Sequence, residues 1–143
     1  MSRDKWELLL AACGWLTFLR LALRVWPFPR IDRLTEPQPA QKAKGDEALS
    51  CATRMVAIAT RHLPWHPTCL ERSLALRRIL AKRGIETQLR IGVRKESETL
   101  LAHAWLEREG KVLNDSPLAI APYARLTKSD RVFVTTLQLL RHT

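Results

Sequence analysis

The stretch that decides the fold is residues 64–74, which reads Pro64-Trp65-His66-Pro67-Thr68-Cys69-Leu70-Glu71-Arg72-Ser73-Leu74. Two prolines make its first half irregular. Thr68, followed three positions later by Glu71, is the pattern of a helix capping box. Apolar residues then recur at helical spacing as far as Ile79, and Gly84 is placed to close the helix. We therefore predict a helix over residues 69–83 with Cys69 in its first turn.

A cysteine in the first turn of a helix lies beside unsatisfied backbone amides and the positive end of the helix dipole. Both favour a thiolate over a thiol, and the thiolate is the form of cysteine that attacks a carbonyl carbon. The same amides can help to hold an oxyanion. The ordinary alternative for an isolated cysteine is a small, buried apolar residue. Here the irregular lead-in and the residues downstream favour the nucleophile.

Downstream of the helix the period of apolar residues shifts towards two, which is typical of strands. We predict strands over residues 88–93, 101–107 and 111–113, the last two joined by a turn at Glu109-Gly110, and a final strand near residues 131–136. Helices gathered before strands indicate an α+β fold with a mainly antiparallel sheet.

A histidine and an aspartate lie on this predicted hairpin. His103 lies within the second strand, and Asp115 follows the third strand, twelve residues further on. Cross-strand neighbours at that separation can meet, although a structural, hydrogen-bonded role is commoner for a single strand histidine. The hypothesis is that Cys69 is a nucleophile, His103 its base and Asp115 the residue that orients the histidine.

Upstream of residue 64 the sequence predicts two further helices. Helical spacing runs from Asp4 to Trp26 and again from Asp46, a candidate N-cap, to Leu63. The first is interpreted either as a core helix or as a docking helix for a partner or a membrane surface. Residues 27–45, with four prolines, are expected to lack regular structure. The predicted organisation is an N-terminal amphipathic helix (1–26), a proline-rich connector (27–45) and a cysteine-nucleophile domain (46–143).

The composition limits the classes of protein to consider. The chain has 143 residues and a formal net charge of +10, which favours acidic partners without choosing among them. Three widely spaced cysteines form neither a disulfide framework nor a paired zinc motif, so we expect a reducing, cytoplasmic setting and no metal. The uncharged run of residues 8–19 is expected to be too short to span a bilayer, and no signal-peptide cleavage site follows it.

Two further features have both a functional and an ordinary interpretation. Trp65, just before the nucleophile, is a candidate oxyanion donor, and a packing role over the site is at least as common. The basic residues of the 69–83 helix are expected to form a solvated face, with binding of a peptide or of nucleic acid as the functional alternatives. Aromatic residues do not alternate with them, which disfavours nucleic acid. They are Arg72, Arg77, Arg78, Lys82 and Arg83.

Several of these motifs together resemble a known family. They are Cys69-Leu70-Glu71-Arg72-Ser73-Leu74-Ala75-Leu76, then Gly84, Leu89-Arg90-Ile91-Gly92-Val93, His103-Ala104-Trp105-Leu106-Glu107 and Asn114-Asp115. Over residues 46–135 the chain closely resembles the transglutaminase-like leader peptidases of lasso-peptide biosynthesis. The combination is more specific than any one of its parts, because Cys-x-x-x-Ser, His-Ala-Trp and a following Asp rarely occur together.

The resemblance implies a papain-like α+β fold, a Cys69-His103-Asp115 triad, no cofactor, and cleavage of the leader from a ribosomally made precursor peptide. It also implies a separate leader-recognition protein and a separate ATP-dependent lasso cyclase, so that this chain is the stand-alone peptidase. Acyl transfer to an amine, as in the wider superfamily, stays open. So does a non-catalytic module on the same fold that binds a peptide or partner protein.

Overall fold

The computed structural model describes residues 2–36 and 45–126. Its helices are α1 (Arg3–Val25), α2 (Phe28–Thr35), α3 (Asp46–His62), α4 (Cys69–Lys82) and α5 (Pro117–Ile120). Its strands are β1 (Gln88–Glu96), β2 (Thr99–Arg108), β3 (Lys111–Val112) and β4 (Ala124–Arg125). The expected class, N-terminal helices followed by an antiparallel sheet, is confirmed. The predicted strand at residues 131–136 lies outside the described residues.

Four of the helices surround one apolar core together with one face of the sheet. α1 contributes six buried residues to it: Leu8, Ala12, Leu16, Leu19, Ala22 and Leu23. They recur every three or four positions, so they form one stripe on the helix. α3 packs beside α1 through Ala52, Met55, Val56 and Ala59. Of the two interpretations of α1, packing on the core is therefore observed.

The expectation that residues 27–45 lack regular structure is wrong for residues 28–35, which form α2. Pro27 is the N-cap of this helix and Pro29 lies in its first turn. Proline is tolerated there because the first-turn amides have no intrahelical acceptor, and its fixed φ suits a helix start. Ile31 and Thr35 are fully buried and attach α2 to the core. The N-cap of α3 is likewise Gly45 rather than Asp46.

The expectation of a solvated basic face on α4 is also wrong for Arg77, which is buried, and Arg78 is only partly exposed. Eleven of the fourteen α4 residues are buried. Arg77 is one of them, and its guanidinium donates to Asp32 and Thr35 of α2. Arg78 lies over the ring of Trp15, with its Cζ atom 5.4 Å from the ring centroid. α4 is therefore the central helix, and two of its arginines join it to α2 and α1.

The sheet has the strand order β3-β2-β1-β4, and every neighbouring pair is antiparallel. The β1–β2 register places Ile91 opposite Ala104, and both side chains are buried in the core. His103 and Trp105 therefore lie on the opposite face of β2, because successive strand residues alternate. The predicted turn at Glu109-Gly110 is confirmed, with positive φ at both residues.

α1 is long and apolar enough, by length and composition, to cross a membrane. Its 23 residues span about 35 Å, whereas the expectation of insufficient length concerned only residues 8–19 within it. Core helices and signal sequences meet the same criterion. In the described fold one side of α1 packs on α3 and α4, and the opposite side carries exposed apolar residues, Leu10 and Leu21 among them.

Candidate functional site

The candidate nucleophile lies where the sequence predicts it, at the first residue of α4. Thr68 is the N-cap, and both bonds of the capping box are present. The Glu71 amide donates to Thr68 Oγ1 at 3.1 Å, and the Thr68 amide donates to Glu71 Oε2 at 3.0 Å. Cys69 is 4% exposed. Its Sγ accepts a hydrogen bond from the Ala104 amide of β2 at 3.4 Å. The sulfur is thus held between the helix start and the middle of a strand.

The two other predicted residues lie beside this sulfur. His103 precedes Ala104 in β2, and its Nε2 is in hydrogen-bond contact with Asp115 Oδ2. Asp115 reaches it because β3 is short and the chain turns back immediately after Leu113. The His103 and Asp115 side chains are 19% and 25% exposed, respectively. The pair is therefore ordered yet still accessible to a substrate.

The pKa of the His103 imidazole is raised above its ordinary value. The largest cause is its hydrogen bond with the Cys69 side chain. Burial opposes the rise, and hydrogen bonding to Asp115 together with the charges of Cys69 and Asp115 adds to it. Each favourable contact stabilises the imidazolium form. The histidine beside Cys69 is therefore biased towards its protonated form.

Glu71 also has a raised pKa, and the main cause is burial of its carboxyl group. The bond from the Thr68 amide and the charges of Arg20, Arg24 and Arg72 act in the opposite direction. Three arginines are thus close enough to influence the start of α4. The start of α4 therefore lies near several of the positive charges that give the chain its basic net charge.

Sequence reasoning missed a clamp formed by Ser73 and Asn114, which had entered only as parts of the family resemblance. Asn114 Nδ2 donates to Ser73 Oγ at 3.0 Å, and Asn114 Oδ1 accepts from the Leu106 amide at 2.9 Å. Ser73 Oγ in turn donates to the Ala104 carbonyl at 3.3 Å. Ser73 lies one turn after Cys69, and Asn114 directly precedes Asp115. The clamp therefore ties together all three segments that carry the site.

Two aromatic rings lie against His103 on the outer face of the sheet. The Trp105 ring is stacked with its centroid 6.0 Å away, and the Tyr123 centroid is 5.3 Å away. Gly92, opposite His103 in β1, makes room for them. A Cβ at this position would lie 2.8 Å from both Trp105 Cη2 and Tyr123 Cβ. Glycine at position 92 is thus a steric requirement of the ring arrangement.

The Trp105 ring is held in place by a hydrogen bond to a buried carboxylate. Its indole Nε1 donates to Glu107 Oε1 at 3.0 Å, and Glu107 is only 2% exposed. Arg90 of β1 and Arg125 of β4 form ion pairs with Glu107 at 3.3 and 2.8 Å. The tryptophan that stacks on His103 therefore has a fixed orientation.

Trp65, the candidate oxyanion donor, is partly buried just before the nucleophile. Arg20 lies over its ring, with the Cζ atom 5.6 Å from the centroid. Its indole Nε1 is inaccessible to solvent and has no hydrogen-bond partner among the described residues. The donor role stays a prediction, and it would need the indole N–H to become accessible to the substrate.

Two cavities flank the segment that carries Asp115. One, of about 390 Å³, lies between α3 and α4 and includes Arg61, Arg72 and Asn114 in its wall. The other, of about 610 Å³, lies over Trp105 and is closed by the segment from Pro117 to Arg125. Over residues 2–36 and 45–126 there is no cluster of histidine, cysteine and carboxylate side chains that could hold a metal ion.

The fold thus packs a first-turn cysteine against a strand that carries a histidine, and the aspartate that contacts this histidine follows the hairpin. A family model of the transglutaminase-like superfamily matches residues 15–128. That match covers most of the chain, so the protein belongs to the transglutaminase-like superfamily. The matched range begins within α1 and ends just after β4.

Among curated proteins, the chain is similar to the microcin J25-processing protein McjB of Escherichia coli, with 47% identity over 49 residues. The aligned segment covers 34% of this chain and 23% of that relative. The chain thus matches less than a quarter of that protein's length. No solved structure matches the chain.

Proposed function

We propose that the protein is a cysteine peptidase in which Cys69 is the nucleophile, His103 the general base and acid, and Asp115 the residue that orients His103. The observation that carries the proposal is the coupling of a first-turn cysteine to a histidine that is paired with an aspartate. Each group has the surroundings that its role requires. The Ser73–Asn114 clamp supports the same interpretation, because it fixes the relative positions of the three segments.

The reaction begins with proton transfer from the Cys69 thiol to His103, and the thiolate then attacks the carbonyl carbon of the scissile amide. The carbonyl π electrons move to oxygen, and first-turn amides of α4 are suited to stabilise that oxyanion. The C–N bond breaks as the His103 imidazolium protonates the leaving amine. Water, deprotonated by His103, then attacks the thioester and releases the acid and the Cys69 thiol.

The substrate we propose is the precursor of a lasso peptide, cut between leader and core. Two observations support this choice: the motif resemblance described above and the 49-residue similarity to a microcin-processing protein. A separate leader-recognition protein would present the precursor, and a separate ATP-dependent cyclase would use the freed core amine. We place the reaction in the cytoplasm, in keeping with three cysteines that are all free thiols.

The test is cleavage of a synthetic precursor by purified protein with its recognition partner, followed by mass spectrometry. Cys69→Ala should abolish cleavage while thermal unfolding stays close to that of the unchanged protein, because the substitution removes only one sulfur atom. The matched control is Cys51→Ala, a half-buried cysteine in α3, which should cleave normally. Turnover by the Cys69 variant would exclude the proposed nucleophile.

Membership of the transglutaminase-like superfamily supports acyl transfer to an amine as a second candidate. Both reactions pass through the same thioester, so they differ only in the nucleophile that resolves it. Adding a primary amine to the cleavage assay separates them. A hydrolase gives the free acid, whereas a transferase gives an amide whose mass includes the added amine. A non-catalytic peptide-binding module would give neither product while still retaining the peptide.

A further inference from the structure

The outer face of α1 is apolar and has no partner among the described residues. Its large side chains are well exposed: Trp6 at 53%, Leu10 at 67%, Leu21 at 61% and Val25 at 77%. Between residues 8 and 19 the helix has no charged residue on any side. Large contiguous apolar surfaces are uncommon on monomeric soluble proteins and typically mark an interaction site.

The spacing on this face is that of a coiled-coil seam. Residues 7, 10, 14, 17, 21 and 24 alternate steps of three and four, so they form one narrow stripe along the helix. In order they are Glu7, Leu10, Gly14, Thr17, Leu21 and Arg24. Small residues lie at the centre of the seam, and a leucine lies on each side of them. The negative charge of Glu7 lies at the N-terminal end of the seam and the positive charge of Arg24 at its C-terminal end.

This arrangement is complementary to itself when two copies run antiparallel. Leucine then faces leucine, Gly14 faces Thr17, and Glu7 of each copy faces Arg24 of the other. A parallel pair would instead bring glutamate against glutamate and arginine against arginine, which is unfavourable. We propose that α1 is the interface of an antiparallel homodimer, and that its occupant is α1 of a second copy of this chain.

The surface beside the seam fits the same arrangement. A cavity of about 350 Å³, walled by Ala11, Gly14, Trp15 and Phe18, opens at the centre of the helix. A Cβ at Gly14 would meet no atom within 4 Å, so a second helix can approach closely there. The cavity is therefore open to a side chain from the opposing helix.

A second cavity receives the other end of the seam. It has a volume of about 630 Å³, lies at the junction of α1 and α2, and is lined by Trp26, Pro27, Pro29, Arg30, Arg33 and Leu34. In the antiparallel pair the first turn of the second copy, with Trp6 and the acidic Asp4, lies beside this cavity. An exposed tryptophan thus meets an apolar hollow, and an acidic turn meets arginines.

The first experiment measures mass in solution by sedimentation or by light scattering after gel filtration. The full chain should have twice its 16.4 kDa mass. Leu21→Glu should give a folded monomer, because it places two carboxylates in the apolar part of the seam. The control is Leu118→Glu, which is 86% exposed on α5 and should remain a dimer. A monomeric full chain at every soluble concentration would overturn the proposal.

The second experiment tests the antiparallel direction by exchanging charges. Glu7→Arg alone and Arg24→Glu alone should each weaken the dimer by about tenfold, because each creates two like-charged contacts. The double variant should regain most of the affinity, since the ion pairs form again with reversed sign. Additive weakening in the double variant would overturn the direction. Arg24 also influences Glu71, so the dimer dissociation constant is the quantity to compare, not the melting temperature.

Cross-linking gives an independent readout. In a Cys13→Ala background, protein with Leu10→Cys should form a disulfide when mixed with protein carrying Leu21→Cys, and neither should cross-link alone. Leu10 lies about 16 Å along the helix axis from Leu10 of the opposing copy, which is too far for a disulfide. Self-cross-linking of the Leu10→Cys protein would indicate a parallel pair. Monomeric protein that sediments with anionic phospholipid vesicles would instead assign the face to a membrane surface.

Discussion

The helices α1 and α4 differ in their roles: α1 supports the fold, and α4 carries residues of the candidate site. α4 is enclosed, with eleven of fourteen residues buried, and yet it carries Cys69, Glu71, Ser73 and Arg77. α1 is buried along one stripe of six residues in 23, and its exposed side is mostly apolar. Polar residues of α4 are thus buried and apolar residues of α1 are exposed. This is the opposite of the usual arrangement, in which a polar surface encloses an apolar core.

The difference has a physical reason in each helix. Polar groups can be enclosed in α4 because each finds a partner: Glu71 in the cap, Ser73 at a strand carbonyl and Arg77 at Asp32. A buried polar group that is held by such bonds has a defined position, which a reactive site requires. The polar contacts of the outer face of α1 are within the helix itself, Arg3 with Glu7 and Thr17 with the Cys13 carbonyl, and the face has no such partners on other described elements. An exposed apolar face without them is typical of an interface.

The largest expected effect comes from removing the helix that gives support. Deletion of residues 1–26 should unfold the protein, because four buried leucines of α1 alone are worth about 6–12 kcal/mol, comparable to a whole domain's stability. Circular dichroism and thermal unfolding check this, with Leu21→Glu as the control that changes only the exposed side. A truncated protein that still unfolds cooperatively, with unchanged Cys69 labelling, would show that residues 46–143 form an independent unit.

The next largest effect is expected from removing the charge of Asp115, which contacts His103. Asp115→Asn should lower the chemical rate about 10²–10⁴-fold with little change in substrate affinity. Because Asp115 helps to raise the pKa of His103, its loss makes the imidazolium deprotonate at lower pH. The alkaline limb of the rate profile should therefore move to lower pH. Single-turnover kinetics across the pH range measure both effects, and a defect in affinity alone would remove Asp115 from the triad.

A smaller effect is expected when the clamp formed by Ser73 and Asn114 is removed. Asn114→Ala leaves the Leu106 amide and Ser73 without their partner, so unfolding free energy should fall by about 1–3 kcal/mol. The rate should fall more than affinity, because Asp115 is the next residue. Asn114→Asp keeps the acceptor oxygen and should recover part of the loss. Ser50→Ala, an exposed serine of α3, is the neutral control.

The smallest effect is expected for the substitution Glu71→Gln. The pKa of Glu71 is raised in the folded state, so the protonated carboxyl stabilises the fold at low pH and this contribution is lost as pH rises above the ordinary value. Glu71→Gln has no charge to bury and still fits the capping box. Its stability relative to the unchanged protein should increase as pH rises above the ordinary pKa of a glutamate. Denaturant unfolding at each pH measures this, and a flat difference would contradict the argument.

The parts of the fold that sequence could predict are those that depend on local signals. The Thr68–Glu71 box, the strand alternation and the glycine at the hairpin turn each lie within a few residues, and each is present in the structure. The Cys69, His103 and Asp115 side chains also lie together as expected, although their catalytic roles stay a prediction.

What the sequence could not indicate depends on pairs of residues far apart. α2 was missed because its prolines were interpreted as breakers rather than as a helix start. Arg77 was interpreted as solvated because its partner Asp32 lies 45 positions away. The Ser73–Asn114 bond joins residues 41 positions apart. No local pattern distinguishes a buried, paired arginine from a surface one, since the difference lies in the partner.

The bond from the Leu106 amide to Asn114 makes one backbone position a natural reporter of the site. Most amides in a sheet exchange their hydrogen with solvent only when strands separate, but this one is protected by a side chain on the segment that carries Asp115. Its exchange with deuterium should therefore follow undocking of that segment rather than opening of the sheet. Comparing Leu106 with Ala104, whose amide instead faces the Cys69 sulfur, would show whether the aspartate and the nucleophile are released together or separately.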